Sequence, residues 1–268
     1  MIGLHAELRR GCGVFAILAV SSWLFLPHPA AAQANAVSNG DFEESWYTDG
    51  SGVPPPDQIP SSWSKDEGSR YWEYSSIGPQ EDNGPSLPGM TAVHWTRSNG
   101  SGTGDWTIIT QTLGISVISV ADHPNLTLSL DLKVLFHDLG GGGWMPNEAE
   151  YPVTVRVYFT DTAGVQRYWQ FGWYEWWDDA VGQPVNGYQT PSGGIVFTEQ
   201  VDYNQWYTRS FDLLAQLRTL SEPRTIDGVW VGGSGWDFEG EADNVAITEP
   251  PPVPVVATTW GAIKAAYK

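Results

Sequence analysis

Residues 168–179 read YWQFGWYEWWDD and gather aromatic rings in an acidic setting. Such rings either fill a protein core or form a surface for a partner. If residues 168–174 form a β-strand, successive side chains point to opposite sides of a sheet. One side then carries large rings that suit a core: Trp169, Phe171 and Trp173. The other side mixes rings with an amide and a glycine: Tyr168, Gln170, Gly172 and Tyr174.

The mixed side has the chemistry of a sugar-binding surface. Flat rings stack on the C–H face of a sugar, while polar neighbours bond to its hydroxyl groups. A paired strand would add an arginine and a tyrosine, and Trp144 stands in a Gly-rich loop. The two tryptophans that follow the strand are either exposed platforms or caps on the end of the fold. The predicted carbohydrate-binding residues are Trp144, Arg156, Tyr158, Gln170, Tyr174, Trp176 and Trp177.

Alternating apolar and polar residues predict the strands that would position this surface. LTLSLDLKVLF (126–136) places its apolar side chains, including Phe136, on one face. PVTVRVYFT (152–160) repeats the pattern, and the turn DTAG (161–164) would join it to RYWQFGWY (167–174) as a hairpin. Further strands are expected at 91–97, 106–113, 206–213, 226–233 and 242–248.

Many strands with turn signals between them predict an all-β fold, an antiparallel β-sandwich or jelly roll. The only helical pattern inside the body is short, at 213–220. Residues 140–143 (GGGG) and the stretch 46–88 are expected to be long surface loops.

The two ends of the chain differ from the body in composition. Residues 1–34 predict a secretory signal peptide, with paired arginines before an apolar run that is too short to span a membrane. The body, 35–249, is expected to be one β-sandwich domain. Residues 250–257 predict a Pro-rich linker, and 258–268 an amphipathic tail that is either a sorting or docking segment or an inert extension.

Composition excludes some classes of partner. The net charge of −18 at pH 7 argues against nucleic acid and anionic membranes, and suits neutral polymers or cations. The single cysteine, Cys12, lies in the predicted signal peptide, so the exported chain would have no disulfide. It would depend on its core or on a metal for stability.

Two distant segments, VSNGDFEESW (37–46) and GWDFEGEADNVAI (235–247), resemble the ends of the galactose-binding-like jelly roll. This is the fold of many carbohydrate-binding modules of bacterial glycoside hydrolases. The family typically opens with an Asn-Gly-Phe-Glu strand followed by Pro and Trp, and closes with an Asp-Asn-Val strand. The matching residues are Asn39, Gly40, Phe42, Glu43, Pro60, Trp63, Asp243, Asn244 and Val245.

The resemblance implies a structural calcium ion between the first and last strands. Members of the family often hold one with carboxylates and backbone carbonyls, the hard oxygen donors that calcium prefers. Glu43 and Asp243 are the first ligand candidates, and Asp41 is the second. The alternative is that these carboxylates only cap turns and meet water.

Three functions remain open at this stage. The resemblance and the aromatic surface favour a secreted, non-catalytic carbohydrate-binding protein whose partner is a polysaccharide or glycan. The runner-up is a cell-surface or assembly protein that uses its tail for an export or surface partner. A β-sandwich hydrolase or lyase is less favoured, because the sequence has no H-E-x-x-H motif, no G-x-S-x-G motif and no cysteine nucleophile. The histidines of the body (His94, His123 and His137) and the candidate carboxylates (Asp131, Glu150 and Glu175) are scattered along it.

Overall fold

A computed structural model of the protein describes residues 35–49, 56–67, 73–81, 91–99, 105–113, 118–138, 151–176 and 184–249. The predicted signal peptide, linker and tail lie outside these ranges, as do the GGGG segment, Trp144 and Trp177. The described residues form β1 (Trp46–Asp49), β2 (Asp57–Pro60), β3 (Ser64–Glu67), β4 (Glu73–Glu81), β5 (Thr91–Asn99), β6 (Asp105–Thr112), β7 (Ile118–Ser119), β8 (Thr127–Asp138), β9 (Tyr151–Asp161), β10 (Gln166–Tyr174), β11 (Tyr188–Gln189), β12 (Gly194–Gln200), β13 (Trp206–Asp212), α1 (Leu213–Arg218), β14 (Pro223–Gly235) and β15 (Asp237–Thr248).

The strands form two main sheets around one core, which confirms the predicted β-sandwich. The larger sheet has the order β11-β12-β10-β9-β14-β6-β3, and β7 also pairs with β14. The smaller sheet has the order β13-β8-β15-β5-β4, and β1 pairs with β2 in a separate ribbon. The pairings in the described part are antiparallel except for β10 with β12, which run parallel. No helix in the described residues is long and apolar enough to cross a membrane.

The predicted core of the aromatic stretch is confirmed. Trp169 and Trp173 are fully buried, and Phe171 is partly buried between them. Phe211 of β13 closes the cluster, with ring centroids 5.3 Å from Trp169 and 5.0 Å from Phe171. Contacts at these distances, tilted or edge-on, are the favoured geometry for aromatic pairs. The cluster therefore fixes β10 against the smaller sheet.

The predicted position of Phe136 in the core is wrong. The alternation of β8 holds through Val134, but Phe136 is 45% exposed and His137 is buried instead. Val134 pairs with Gly240 and Phe136 pairs with Glu239, so β8 has one extra residue between these pairs. Such a bulge reverses the side to which every following side chain points.

The predicted hairpin between β9 and β10 is confirmed, and Asp161 holds its turn. The backbone N–H of Val165 and Nε of Arg167 donate to its two carboxylate oxygens, at 2.9 and 2.8 Å. Ser221 Oγ donates to the same carboxylate at 3.0 Å. Gly164 takes a positive φ of 82°, which a glycine adopts without strain. The hydrogen bonds from Arg167 and Val165 lower the pKa of Asp161 from 3.8 to about 2.

We expect Asp161 to stabilise the fold in a pH-dependent way. Because its pKa is lower in the folded state, its contribution is fully present above its ordinary pKa and is lost as the pH falls through about 2. Replacing Asp161 with Asn should lower the melting temperature at pH 7, and the gap to wild type should narrow between about pH 4 and pH 2. Melting curves across this range test it, with the exposed Asp122→Asn as the control. If the difference in melting temperature between Asp161→Asn and wild type did not change with pH, the proposed role of the Asp161 carboxylate would be wrong.

The region 46–88 was expected to be a loop, but it contains β1 to β4. These strands are short or polar, such as Ser64–Glu67 with the sequence SKDE, so they lack an apolar alternation. The sequence also gave no prediction for β12 (GIVFTEQ), which pairs with β10 after a long connection. By contrast, the short helix predicted at 213–220 is present as α1, with Asp212 as its N-cap.

The two segments that carry the family resemblance meet in space. Ala36 N–H donates to Ile247 C=O at 2.9 Å, and Val245 N–H donates to Gly40 C=O at 2.7 Å. A side chain at Gly40 would place its Cβ only 1.9 Å from Val245 O, so this close approach requires glycine. Phe42 is fully buried against Trp63, with ring centroids 5.7 Å apart. The Asn-Gly-x-Phe motif therefore closes the sandwich by packing.

Candidate functional site

A cleft of about 450 Å³ lies on the outer face of the larger sheet. The alternation that turns Val155, Val157 and Trp169 into the core turns their neighbours outward. Four adjacent strands, β10, β9, β14 and β6, form the floor, which is about 14 Å wide at normal strand spacing. The cleft is lined by Asp66, Trp106, Ile108, Arg156, Tyr158, Gln166, Arg167, Tyr168, Ser192, Trp230 and Ser234.

Arg156 of β9 stands at the centre of the floor. Its Cζ lies 4.2 Å from the ring centroid of Tyr168 on β10 and 4.2 Å from that of Trp230 on β14. Its Nε and Nη2 donate to Gln170 Oε1 at 3.0 and 2.6 Å, and its Nη1 donates to Tyr158 Oη at 3.1 Å. Hydrogen bonds and cation–π contacts therefore hold the guanidinium in one position.

The rings around Arg156 are fixed by their own partners. Trp230 Nε1 donates to Tyr158 Oη at 2.9 Å. Tyr168 Oη donates to Thr190 Oγ1 at 2.8 Å and shares a hydrogen bond of 2.8 Å with Ser192 Oγ. A network of this kind keeps the cleft in shape before a ligand arrives.

Gly194 makes room for the ring of Tyr168. A Cβ built on Gly194 would lie 2.1 Å from Cζ of Tyr168, so the ring covers the backbone of β12 directly. A larger residue at this position would push the ring away from Arg156. Gly194 is therefore needed for the position of the Tyr168 ring in the cleft.

Trp106 of β6 provides an exposed ring in the cleft. It is 41% exposed, whereas Trp230 is buried. Ser234 pairs with Trp106 in the β14–β6 register, so both side chains project from the same face. Ser234 is 6% exposed, and its Oγ has no hydrogen-bond partner among the described residues. Ser234 therefore belongs to the enclosed wall of the cleft beside Trp106.

The structure brings together three of the residues predicted to bind carbohydrate. Arg156 and Tyr158 line the cleft. Gln170 is fully buried beneath them, so its amide positions Arg156 and does not reach the cleft surface. Trp144 and Trp177 lie outside the described residues.

The other two predicted residues lie apart from the cleft lining. Tyr174 is half-buried at the end of β10, and burial raises the pKa of its hydroxyl. Trp176 is 38% exposed, and its Nε1 donates to His137 C=O of the smaller sheet at 3.0 Å. Trp176 therefore packs across the end of the sandwich, as in the capping alternative. Direct ligand contact by these two residues stays a prediction.

Sequence reasoning missed Trp106, Trp230 and Ser234 as site residues. The signal was present, because WTIITQTL and IDGVWVGG were both predicted strands. In IDGVWVGG, Trp230 alternates with the buried Val229 and Val231 and must therefore face outward. What the sequence could not supply was the pairing of β14 between β9 and β6.

The predicted calcium ligands have separate surroundings. Glu43 accepts a hydrogen bond from the backbone N–H of Thr91. Asp243 is buried opposite Asp131, and Asn244 Nδ2 donates to both of their carboxylates, at 2.8 and 3.0 Å. Asp41 lines a second groove beside Asp131. Among the described residues, no three His, Cys, Asp or Glu side chains form a group that could hold a metal ion.

The three histidines of the body lie outside the cleft lining, and His123 Nδ1 is 3.2 Å from Glu249 Oε1. His94 Nε2 lies 2.7 Å from Glu239 Oε1 on the smaller sheet. His137 is buried, which lowers its pKa from 6.5 to about 4, so it is neutral at pH 7. Neither residue lines the cleft.

Comparison with known proteins gives matches to solved structures only. No protein-family model and no curated protein matches the chain. Several of the similar solved structures are carbohydrate-binding modules. One is the family 11 module from Clostridium thermocellum in complex with a β-1,3-1,4-mixed-linked tetrasaccharide. It is 11% identical to this chain, the match covers 75% of this chain and 93% of that chain, and the TM-score is 0.36.

Two further matches have comparable values. The CBM22-1 xylan-binding domain of Xyn10C from Paenibacillus barcinonensis is 14% identical over 83% of this chain and 98% of that chain, with a TM-score of 0.38. A family 12 xyloglucanase from Bacillus licheniformis is 9% identical over 67% and 87%, with a TM-score of 0.40. At these TM-scores the matches assign no function, and the chemistry of the cleft must do so.

Proposed function

We propose that the protein binds a carbohydrate in the cleft of the larger sheet. The observation that carries this proposal is an exposed Trp106 on a floor whose rings and hydrogen-bond donors are already fixed. An exposed indole next to aligned polar groups has the composition of a sugar subsite. Of the other rings in the lining, Trp230 and Tyr168 are buried and stabilise the floor, and Tyr158 is half-buried.

The parts of the cleft match the two surfaces of a sugar ring. The apolar C–H face can stack on Trp106, which leaves water when the ligand binds. The hydroxyl groups can bond to the N–H groups of Arg156 that its hydrogen bonds to Gln170 and Tyr158 leave unused. Because these donors are held before binding, little conformational entropy is lost on association.

The cleft favours binding over hydrolysis. Hydrolysis of a glycosidic bond ordinarily uses two carboxyl groups at a defined separation. Of the described residues that line the cleft, Asp66 alone has a carboxylate. We therefore propose a non-catalytic binding protein.

A panel of polysaccharides tests the proposal. Native gels that contain xylan, mixed-linkage β-glucan, galactan or an acidic polysaccharide should slow the migration of the protein in at least one case. Albumin in the same gels controls for sieving. If no glycan slows the protein, carbohydrate binding is wrong and the surface or assembly function takes its place.

Export and sorting belong to the same proposal. The charged and apolar pattern of residues 1–34 supports export through a signal peptide, with cleavage after Ala32 or Ala34. The tail, 258–268, is proposed to contact a surface or export partner. Both segments lie outside the described residues.

We also propose a structural calcium ion where the first segment meets the last strand. Carboxylate and carbonyl oxygens of the right type lie there, and Asp131 and Asp243 are buried opposite each other. Because the described carboxylates form no group of three, backbone carbonyls would have to complete the six to eight ligands that calcium takes.

Chelation should therefore lower the thermal stability. A site that is filled at a hundredfold excess over its dissociation constant stabilises the fold by about 3 kcal/mol. The melting temperature should fall in EDTA and recover with calcium but not with magnesium. Asp243→Asn should remove the response to EDTA. An unchanged melting temperature in EDTA would contradict the proposed structural calcium ion.

A further inference from the structure

Arg156 lacks the kind of partner that other arginines of the protein have. Arg167, Arg209 and Arg218 each bond to a carboxylate, of Asp161, Glu199 and Glu222. The hydrogen-bond partners of Arg156 are the neutral Gln170 and Tyr158. The described part of the chain therefore leaves a positive charge without a counter-ion on the cleft floor.

The hydrogen bonds of Arg156 leave donors unused. A guanidinium has five N–H groups, and the contacts to Gln170 and Tyr158 use one on each of its three nitrogens. One N–H remains on Nη1 and one on Nη2. These two nitrogens form the fork with which arginine binds a carboxylate through two parallel hydrogen bonds.

The charge is not needed to hold the aromatic floor together. Trp230 is already bonded to Tyr158, and Tyr168 to Thr190 and Ser192. The guanidinium is partly exposed, and its contacts to the two rings and to Gln170 are made with neutral groups. A negatively charged group on a ligand would supply the missing counter-ion and use the two remaining N–H groups.

The surroundings favour a single anionic group on the ligand. Arg167, the other cation of the cleft, is neutralised by Asp161, and Asp66 is exposed on the edge strand β3. The chain as a whole is acidic, with a net charge of −18, which disfavours a dense polyanion such as nucleic acid. A carboxylate on a sugar that otherwise presents hydroxyls fits this local pattern.

We propose that the ligand is a polysaccharide that carries uronic acid units on an otherwise neutral chain, and that Arg156 binds the carboxylate of one of these units. A neighbouring sugar of the same chain stacks on Trp106. This inference rests on the proposed carbohydrate-binding function and specifies its ligand class. It also replaces the expectation of a neutral polymer, which came from the net charge of the whole chain.

Matched ligands test the inference without any mutation. Oligosaccharides of glucuronoxylan, whose uronic acids stand on a neutral chain, are titrated into the wild-type protein in a calorimeter beside their carboxyl-reduced counterparts. Oligosaccharides of polygalacturonate and alginate, which are charged at every sugar, are titrated in the same way and should bind less tightly than those of glucuronoxylan. Reduction turns the carboxylate into a primary alcohol and leaves the linkage unchanged. At least one acid form should bind tenfold or more tightly than its reduced form. Equal or tighter binding of every reduced form would overturn the inference while leaving carbohydrate binding intact.

Two other outcomes are also decisive. If no oligosaccharide of either kind binds, both the inference and the proposed function fail. If a sulfated galactan binds more tightly than every uronate, the proposal that Arg156 binds a carboxylate is wrong, because Arg156 would then bind a sulfate ester.

Substitutions of Arg156 test whether this residue causes the preference for the acid form of the ligand over its reduced form. Arg156→Gln should reduce the ratio of acid to reduced affinity to about one, and Arg156→Lys should keep only part of it, since lysine has the charge without the fork. The ratio is a readout that a purely structural role of Arg156 would not change. Arg218→Gln removes the same charge from an exposed ion pair and should keep the wild-type ratio. Melting curves confirm that each variant is folded.

Discussion

Replacing Trp173 with Ala should reduce the free energy of unfolding by about 3 to 5 kcal/mol, the range for large-to-small changes in a core. Trp173 is fully buried, and its ring centroid lies 4.9 Å from that of Phe171. Its Nε1 donates to Glu199 Oε2 at 3.0 Å, so the substitution also removes a hydrogen bond. Chemical denaturation, with the slope compared between variants, measures the change.

Trp176→Ala is the matched control for Trp173→Ala. Trp176 is three residues further along the chain, but it is 38% exposed. Its Nε1 donates to the C=O of His137, and its side chain also interacts with Tyr203. Its loss should reduce the free energy of unfolding by less than the loss of Trp173, because removing a partly exposed ring leaves no enclosed cavity. If the two substitutions had equal effects, the division of the aromatic stretch into core and surface would be wrong.

Replacing Trp106 with Ala should weaken binding of the ligand by tenfold to a hundredfold or more. Central aromatic residues of an interface commonly contribute 2 kcal/mol or more, and a tenfold change in affinity corresponds to about 1.4 kcal/mol. Stability should change little, because Trp106 is 41% exposed before the ligand binds. The measurement is calorimetry with the oligosaccharide that binds wild type most tightly.

Trp176→Ala again provides the control, because Trp176 has nearly the same exposure and lies outside the cleft lining. Its affinity should equal that of wild type. If Trp176→Ala lost binding and Trp106→Ala kept it, the ligand would bind at the end of the sandwich and the cleft would be the wrong site.

Local patterns in the sequence predicted much of the fold. The alternation of residues 152–160 and 167–174 identified both strands of the hairpin and the buried face that carries Trp169 and Trp173. These predictions succeeded because the period of a strand and the residues of a turn are properties of neighbouring positions. The exposed Phe136 shows the limit, since a bulge depends on the partner strand as well.

The cleft depends on pairings that no local pattern contains. Trp106 and Trp230 are more than a hundred residues apart in sequence, and only the order β9-β14-β6 places both in the lining of one cleft with Arg156. Tyr168 was predicted on the correct face, but its support from Gly194 requires the parallel pairing of β10 with β12. Side chains could be assigned to a face from the sequence, whereas their assembly into one cleft follows from the sheet order.

The most direct test of the proposed function is an NMR titration of protein labelled with ¹⁵N at tryptophan. Oligosaccharides from the polymer that slows the protein most in gels are added, and indole N–H signals are assigned with single Trp→Phe variants. The signals of Trp106 and Trp230 should shift in proportion to binding, while those of Trp173 and Trp176 should stay in place. Shifts confined to Trp176, with Trp106 and Trp230 unchanged at saturation, would contradict a ligand site in the cleft.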